Sequence, residues 1–450
     1  MKLHTPKTLP YIPVAPGALP ILGHFAKMKN NQVAFLEETQ KKLGPLFWLN
    51  AGFGQWTVVV TGEAAHTVMK NKETRSDVMG GEGDRITGHI TTDTVSIKDG
   101  APHRRIRGAI QSPFTPKGLT VSEIGALLEE TAEKRTSGWK ENTKLEILHE
   151  TSVYALDIIF RMLGVADLDL PLWRKTYNDF VGPWTMIPFN FPGSPRWRSL
   201  KARDWMDKEF QKMIDQARAT GDTKTMLGAI VHGTDEEGQG LEPKELFANL
   251  RILGLAGHET TAATVAWMFI HMGATPELWE EIREEAVAAD SPPTSPKDME
   301  RFPKIEALFR EVLRLYPVIN VLTPRRVEEP IEIYGVKIPK DTSVSASLLS
   351  LSRDANLYPN PETLSLERWT KQAHRPKPSE AVQFGGGPHF CLGYHLAVFE
   401  GVVYTTIAAR RLASLGLQPV LQGEIPKPTY MPLTRPPAEA KILLKPNYKA

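Results

Sequence analysis

Apolar residues recur every three or four positions along most of the chain, which is the spacing of one buried face of an α-helix. The segments with the clearest pattern predict helices over residues 124–139, 145–163, 202–219, 244–273, 276–289 and 302–317. The long segment 244–273 is apolar almost throughout, which is typical of a helix buried on most sides. The pattern therefore predicts a mainly α-helical protein.

Alternation of apolar and polar residues, the signal for a strand, is confined to short segments. FWLNAG and WTVVVTG, within residues 47–62, predict a hairpin, and the alternating run over 331–347 predicts a second small sheet. Proline clusters at 291–296 and 425–437 predict surface loops. No repeat or linker divides the chain, so we expect a single domain over residues 1–450.

The first 30 residues are rich in proline and glycine and form an N-terminal arm. Their composition favours a rigid coil packed on the body of the protein over a weak contact with a membrane surface. The chain has no run of 18 apolar residues and no apolar segment typical of a secretion signal. We therefore expect no transmembrane anchor.

Charge and cysteine content exclude several classes of function. The chain carries 54 basic and 52 acidic side chains, a balance that gives no indication of nucleic-acid binding. A single cysteine excludes an intramolecular disulfide and any metal site built from several cysteines. It also suits a reducing compartment. We expect a cytoplasmic monomer.

That cysteine, Cys391, lies in the glycine-rich stretch FGGGPHFCLG over residues 384–393. Gly385, Gly386 and Gly387 allow positive φ and a close approach of the backbone to a flat molecule. A long apolar helix is predicted to follow, so Cys391 lies where free amide groups favour a thiolate. A thiolate preceded by His389 suits an axial ligand of iron. A buried structural cysteine and a catalytic nucleophile are the alternatives that the residues leave open.

The stretch FGGGPHFCLGYHLA resembles the haem-binding signature of the cytochrome P450 family, and other motifs follow in family order over roughly residues 15–440. The positions that match the signature are Phe384, Gly387, Cys391, Gly393 and Ala397. The resemblance implies a triangular, mainly α prism with a small β region. It also implies haem b, with Cys391 as the axial iron ligand and His389 facing a haem propionate.

Glu311 and Arg314, in FREVLRLYP, are three residues apart on a predicted helix. By spacing alone they predict an exposed ion pair of little energetic value. The family resemblance implies instead a structural brace behind the cysteine loop, completed by Arg368 of LERW. In that motif Leu366 replaces a proline that is often found in the family.

The stretch AGHETT, residues 256–261, interrupts the apolar pattern of the long helix. A solvated carboxylate and a hydroxyl bonded to the backbone would explain it without any function. It is also similar to the oxygen-activation motif of the family. On that resemblance Gly257 opens the helix, Thr260 holds oxygen and water through its hydroxyl, and Glu259 supplies protons.

His103 and Arg107, in DGAPHRRIR, are four residues apart and share a helix face. The resemblance implies that both reach a haem propionate. Arg104 and Arg105 point elsewhere and predict a solvated basic face, which is also suited to docking an acidic electron-transfer protein.

A further propionate contact comes from TPRR, residues 323–326, just before the small sheet. The resemblance implies that Arg325 makes this contact, with Arg326 as the second choice.

The resemblance implies a monooxygenase that uses O2 to hydroxylate or epoxidise a hydrophobic substrate. Its electrons would come from a separate ferredoxin or flavodoxin with an NAD(P)H-dependent reductase. The aromatic and proline-rich segment 180–206 looks like a stretch of sterol- and retinoid-oxidising branches, and loop 76–97 is expected to roof the pocket. A steroid, terpenoid, retinoid or fatty acid is the expected substrate. A peroxide-driven peroxygenase or isomerase and a non-catalytic haem sensor are the alternatives.

Overall fold

A computed structural model describes residues 3–52, 54–70, 74–75, 88–182, 189–321, 324–371, 382–430 and 433–447. By its internal contacts the chain divides into two compact units. The first comprises residues 1–79, 310–391 and 428–435, and the second comprises 80–309, 392–427 and 436–450.

Helices dominate the described part of the chain, as the apolar spacing predicts. They are α1 (Phe25–Leu43), α2 (Ala64–Lys70), α3 (Gly88–Thr91), α4 (Gly100–Gln111), α5 (Pro116–Val121), α6 (Ile124–Thr136), α7 (Ile147–Met162), α8 (Leu170–Val181), α9 (Pro195–Thr220), α10 (Met226–Val231), α11 (Pro243–Ala274), α12 (Pro276–Ala288), α13 (Pro303–Leu315), α14 (Leu348–Ser352), α15 (Glu367–Thr370) and α16 (Tyr394–Ser414).

Strands are short. They are β1 (Leu46–Asn50), β2 (Trp56–Val60), β3 (Thr74–Arg75), β4 (Lys144–Glu146), β5 (Arg325–Val327), β6 (Ile331–Ile333), β7 (Val336–Ile338), β8 (Ser343–Ala346), β9 (Leu417–Leu421) and β10 (Lys441–Pro446).

The first unit is built on a five-stranded sheet in the order β1-β2-β8-β5-β3. The predicted hairpin is β1 and β2, which pair antiparallel from Leu46 with Val60 to Asn50 with Trp56. The alternating run over 331–347 divides between two sheets, because β6 and β7 form their own hairpin and β8 joins β2 in parallel. Valines of β2 and β8 fill the core against the buried indole of Trp48.

The second unit packs α11 against α7, and it includes the three-stranded sheet β4-β10-β9. From Thr261 to Met272 every side chain of α11 is buried, which agrees with its continuous apolar pattern. Within the described residues, the stretch Gly387–Ser414 is long and apolar enough to cross a membrane. Buried helices in the core of a protein have the same length and composition, and 61% of the 18-residue apolar segment within this stretch is buried.

The N-terminal arm is packed on the first unit only in part. Leu9, Ile12 and Ala15 are buried against the sheet. Residues 16–22, however, are exposed without interruption. The expected coil on the body of the protein therefore holds for the beginning of the arm and fails at residues 16–22, which are exposed, and at residues 25–30, which begin α1.

Candidate active site

Cys391 ends a tight loop that its own backbone closes. Its N–H donates to the carbonyl of Phe384 at 2.9 Å, and the N–H of Phe390 donates to Gly387 at 3.1 Å. Gly385 and Gly387 have φ of +78° and +61°, values that side chains rarely allow. The loop thus requires two of its glycines for their backbone conformation, and it carries a half-buried thiol that forms no disulfide.

The helix predicted after the loop begins at Tyr394, three positions beyond Cys391. Gly393 precedes it as the cap residue, and its carbonyl accepts the N–H of Ala397 at 2.8 Å. Gly393 has an ordinary φ of −85°, so its backbone conformation does not require glycine.

Glu311 is the centre of a buried polar cluster in the first unit. Arg314 donates to both of its carboxylate oxygens, from Nε at 3.0 Å and from Nη2 at 2.8 Å. Arg368 donates from Nε at 3.3 Å, and the backbone N–H of Ser365 donates at 3.0 Å. The indole N–H of Trp369 completes the set at 2.7 Å. Glu311 and Arg314 are fully buried, so the expectation of an exposed pair from spacing alone is wrong.

The same cluster reaches the start of the cysteine loop. Arg314 donates from Nη1 to the carbonyls of Ser352 at 2.9 Å and Pro361 at 2.7 Å, and from Nη2 to Thr363 at 3.3 Å. The side chain of Gln383, next to Phe384, donates to the hydroxyl of Ser352 at 3.0 Å. Ser352 therefore links the guanidinium of Arg314 to the segment that enters the loop.

Three members of this cluster escaped sequence reasoning. Trp369 and Ser365 donate to Glu311, and the ring of Tyr358 lies 5.2 Å from the guanidinium carbon of Arg314 and 5.7 Å from that of Arg368. Trp369 directly follows Arg368 in LERW, which is the one signal that could have indicated it.

Thr260 lies on α11, which runs as one continuous helix through the AGHETT stretch. The hydroxyl of Thr260 donates to the carbonyl of Ala256 at 2.7 Å. The hydroxyl of Thr264 donates to the backbone carbonyl of Thr260 at 3.0 Å. Ala256 is exposed and Thr260 is half-buried. The interruption expected in this helix is thus a polar stretch without a break in the backbone.

Gly257 lies close to a side chain of a neighbouring helix. A Cβ at this position would lie 2.8 Å from Cδ1 of Ile159 on α7. Gly254 lies one turn earlier, and a Cβ at that position would lie 2.7 Å from the ring atom Cε2 of Tyr177. α11 is continuous through Gly257 and shows no opening of its backbone there, and the role expected of Gly257 beside haem stays a prediction.

Glu259 lies close to a buried aromatic group. Tyr177 is buried, its hydroxyl donates to the carbonyl of Arg251 at 3.3 Å, and its ring meets His258 edge to face at 6.4 Å. Burial raises the pKa of Tyr177 well above its usual range, and the negative charge of Glu259 raises it further. The Tyr177 hydroxyl therefore stays protonated beside this stretch of α11.

The helix α4 presents its two candidate residues differently. His103 is buried and Arg107 is half-buried. Arg105 is committed elsewhere, because it donates to Glu245 at 2.9 Å and to the carbonyl of Gly240 at 3.0 Å. The expected basic face therefore retains the exposed Arg104, while Arg105 joins α4 to the start of α11.

The two arginines that begin β5 also lie in different surroundings. Arg325 is 8% exposed. Arg326 lies beside two carboxylates, with Glu328 at 3.4 Å and Asp341 at 3.8 Å. Arg326 is thus paired with acidic side chains, and the propionate contact expected of Arg325 stays a prediction. His389 ends a 3-10 turn in the cysteine loop and is half-buried.

The two segments expected to form the substrate pocket are described only in part. Residues 76–87 and 183–188 lie outside the described residues. The remainder of the first segment is tied to α11, because the side chain of Asn249 accepts the N–H of Val95 at 2.9 Å and donates to the carbonyl of Asp93 at 3.2 Å. Phe189 and Phe191, beyond the second gap, are 69% and 62% exposed.

Comparisons with known proteins identify the family and the fold. Residues 13–442 match the family model described as Cytochrome P450. Cytochrome P450 BJ-4 of Bradyrhizobium diazoefficiens is 34% identical over 432 residues, which cover 96% of each chain. A cyclooctat-9-en-7-ol 5-monooxygenase of Streptomyces melanosporofaciens is 26% identical over 415 residues, 88% of each chain. The fold is also similar to that of a retinoic-acid-bound cyanobacterial P450, with a TM-score of 0.80 and 23% identity over 96% of this chain and 99% of the other.

The chain belongs to the cytochrome P450 family. It has the mainly α fold of that family, it is a monooxygenase, and its cofactor is haem b.

The residues present fit that cofactor. Within the described residues no group of three or more His, Cys, Asp and Glu side chains could hold a bare metal ion. Haem needs only one strong protein ligand on its iron, and the thiol of Cys391, which forms no disulfide and lies on a closed glycine loop, can supply it.

Proposed function

We propose that Cys391 is the axial thiolate ligand of the haem iron. The observation that carries this proposal is the loop itself: it is closed by the Cys391 N–H on Phe384 and attached through Gln383 to the buried Glu311 cluster. When bound, haem with a thiolate ligand supplies the electron density that favours cleavage of O2. The chain contributes a fixed thiol position, since the loop cannot shift without breaking bonds to buried groups.

The haem propionates need cationic or hydrogen-bonding partners, and His103, Arg107, Arg325 and His389 are the residues proposed for that role. Arg105 and Arg326 are better explained by their carboxylate partners. A guanidinium can donate two parallel hydrogen bonds to a carboxylate, which suits Arg107 and Arg325. Phe384 and Gly393 are proposed to contact the cofactor as part of the cysteine loop.

Proton supply is proposed for Glu259 and Thr260. The Thr260 hydroxyl donates to the Ala256 carbonyl while its oxygen lone pairs remain able to accept. Because Thr260 is half-buried, its hydroxyl can give up the hydrogen bond to the Ala256 carbonyl. It can then donate a hydrogen bond to a water molecule or to O2. Glu259 can deliver a proton to such a water and recover it from solvent.

The proposed substrate is an apolar molecule of the steroid, terpenoid, retinoid or fatty-acid type, hydroxylated or epoxidised with O2. The name of the Streptomyces relative, a monooxygenase of cyclooctat-9-en-7-ol, supports this choice. Electrons are proposed to come from a separate ferredoxin or flavodoxin with an NAD(P)H-dependent reductase. A cytoplasmic location is proposed because a single cysteine that forms no disulfide suits a reducing compartment.

The absorption spectrum of the reduced protein with carbon monoxide tests the central assignment. Wild type should show the strongly red-shifted Soret band of a thiolate ligand, and Cys391→His should lose it while keeping haem. His395→Gln, in the first turn of α16, is the matched control and should keep the band. A histidine-type spectrum in wild type would contradict the assignment.

A further inference from the structure

The exposed segment of the N-terminal arm, residues 16–22, forms a small apolar protrusion on the first unit. Leu19 and Gly23 exchange backbone hydrogen bonds at 2.8 and 3.0 Å and so close the loop. Leu19, Ile21 and Leu22 are 47%, 64% and 47% exposed. We call residues 16–22 the arm tip.

The base of the arm tip is firmly attached on both sides. Before it, the N–H of Ala15 donates to the carbonyl of Trp48 at 2.9 Å, and after it the N–H of His24 donates to Asn50 at 2.9 Å. The buried ring of His24 joins the two sides, because its Nδ1 accepts the N–H of Asn50 and its Nε2 donates to the carbonyl of Ala15, each at 2.9 Å. Apolar side chains are thus held out in solvent by a rigid base.

Glycine is required where the arm returns to the sheet. Gly23 has a φ of +55°, and a Cβ there would lie 2.4 Å from the carbonyl oxygen of Asn50. The tip therefore keeps its shape without a partner, so little conformational entropy is lost when something binds it.

The sequence that contains the arm tip is one-sided in charge. Residues 1–36 contain four lysines and no aspartate or glutamate, and the first acidic residue is Glu37. The remaining residues carry 50 of the 54 basic side chains and all 52 acidic ones, so this excess is local. The stem of Lys27 touches the tip, since a Cβ on Gly17 would lie 2.4 Å from its Cε. Lys29, two residues further along α1, is also exposed.

The geometry points to an anionic lipid surface as the partner of the arm tip. Exposed aliphatic side chains can enter the boundary between headgroups and acyl chains, and lysines beside them can pair with acidic headgroups. A protein partner fits less well, because a stable interface needs about 800 Å² on each side and a protrusion of seven residues offers little of that. This contact is peripheral and reversible, and it adds a membrane location to the monooxygenase activity.

Vesicle sedimentation of the haem-loaded protein tests the proposal. Wild type should sediment with vesicles of mixed phosphatidylglycerol and phosphatidylcholine, and much less with phosphatidylcholine alone. The double variant Ile21→Asp/Leu22→Asp and the double variant Lys27→Glu/Lys29→Glu should each weaken binding about tenfold or more. Leu168→Asp is the matched control, since Leu168 is a leucine 95% exposed on the second unit, and it should bind as wild type does.

Three results would overturn the proposal. The first is that wild type does not sediment with the anionic vesicles at low salt. The second is that both tip variants, with unchanged haem spectrum and circular dichroism, bind as strongly as wild type. The third is that the tip mediates self-association, seen as a dimer in sedimentation velocity that Ile21→Asp/Leu22→Asp converts to monomer. If Ile21→Asp/Leu22→Asp folds poorly, the single variant Ile21→Ser replaces it. It should weaken vesicle binding by a smaller factor, and binding equal to that of wild type would overturn the proposal.

Discussion

The indole N–H of Trp369 donates to Oε2 of Glu311 at 2.7 Å, inside the polar cluster that Ser352 and Gln383 link to the cysteine loop. Trp369 and Glu311 are 58 residues apart in the chain. Because Glu311 is fully buried, each donor around it offsets part of the cost of removing a carboxylate from water.

Trp369→Phe should lower the free energy of unfolding by about 1–3 kcal/mol, because it leaves one lone pair of a buried carboxylate without its donor. Urea unfolding followed by circular dichroism measures the change. Trp197→Phe, at a half-buried tryptophan on α9, is the control and should change stability by less. Equal effects of the two substitutions would mean that the loss comes from ring size alone.

Arg314→Ala should cost about 3–5 kcal/mol, because it leaves the buried Glu311 carboxylate without its main partner. Arg314→Lys should also be poorly tolerated, since one ammonium group cannot make the five hydrogen bonds of the guanidinium. Thermal unfolding and haem content measure both. Lys212→Ala, which breaks the exposed pair with Glu209, should cost at most about 1 kcal/mol. Normal haem loading in Arg314→Ala would show that the cluster does not support the loop.

Thr260→Ala should lower the amount of product formed per NADH consumed and raise the release of hydrogen peroxide, with haem content and carbon monoxide binding unchanged. The reason is the loss of a hydroxyl that can hold water for proton delivery. Thr264→Ala is a close control, because its hydroxyl makes the same bond to the carbonyl four residues earlier but is buried. Equal coupling in all three proteins would remove Thr260 from the proton path. It would also favour a peroxide-driven enzyme, which oxidation with added hydrogen peroxide alone would then reveal.

Glu400 on α16 should make stability depend on pH. Burial raises the pKa of Glu400 well above its usual range, so the folded protein keeps a proton that the unfolded chain releases above about pH 4.3. As pH rises from that value toward the folded-state pKa, wild type should lose up to about 1.4 kcal/mol per pH unit relative to Glu400→Gln. The buried Tyr154 and Tyr404 also have raised pKa values and do not titrate in this range.

Urea unfolding of wild type and Glu400→Gln at several pH values between 5 and 8 measures this difference. The gap in unfolding free energy should widen steadily in favour of the glutamine variant. Parallel curves would mean that Glu400 is ionised in the folded protein.

Helical periodicity was enough to predict two of the helices that carry candidate site residues. The predicted helix 244–273 is α11 at Pro243–Ala274, and the predicted 302–317 is α13 at Pro303–Leu315. The reason is that α13 has a clear apolar stripe, whereas α11 is apolar almost throughout, as a helix buried on most sides must be. The burial of Glu311 and Arg314 could not be predicted from their spacing, since a pair three residues apart looks the same on an exposed helix.

What the sequence left undetermined depends on contacts between distant segments. Nothing in AGHETT indicates that Ile159 occupies the space beside Gly257, because Ile159 lies almost a hundred residues earlier. Likewise, Arg105 looks like part of a basic surface until α11 brings Glu245 beside it. The family resemblance predicts chemical roles for the residues of these motifs. Their contacts with distant segments depend on the packing of the helices, which the motifs do not encode.

Ser352 joins Arg314 to Gln383 at the entrance of the cysteine loop. A protein engineer who transplanted residues 384–393 alone into another scaffold would therefore leave behind the groups that hold the loop in place. The smallest transferable piece includes α13, α14 and the segment from Pro359 to Trp369, which all donate to or accept from the same cluster. Evolution of this loop is constrained in the same way, since a change near Ser352 alters the setting of the thiol from some forty residues away along the chain.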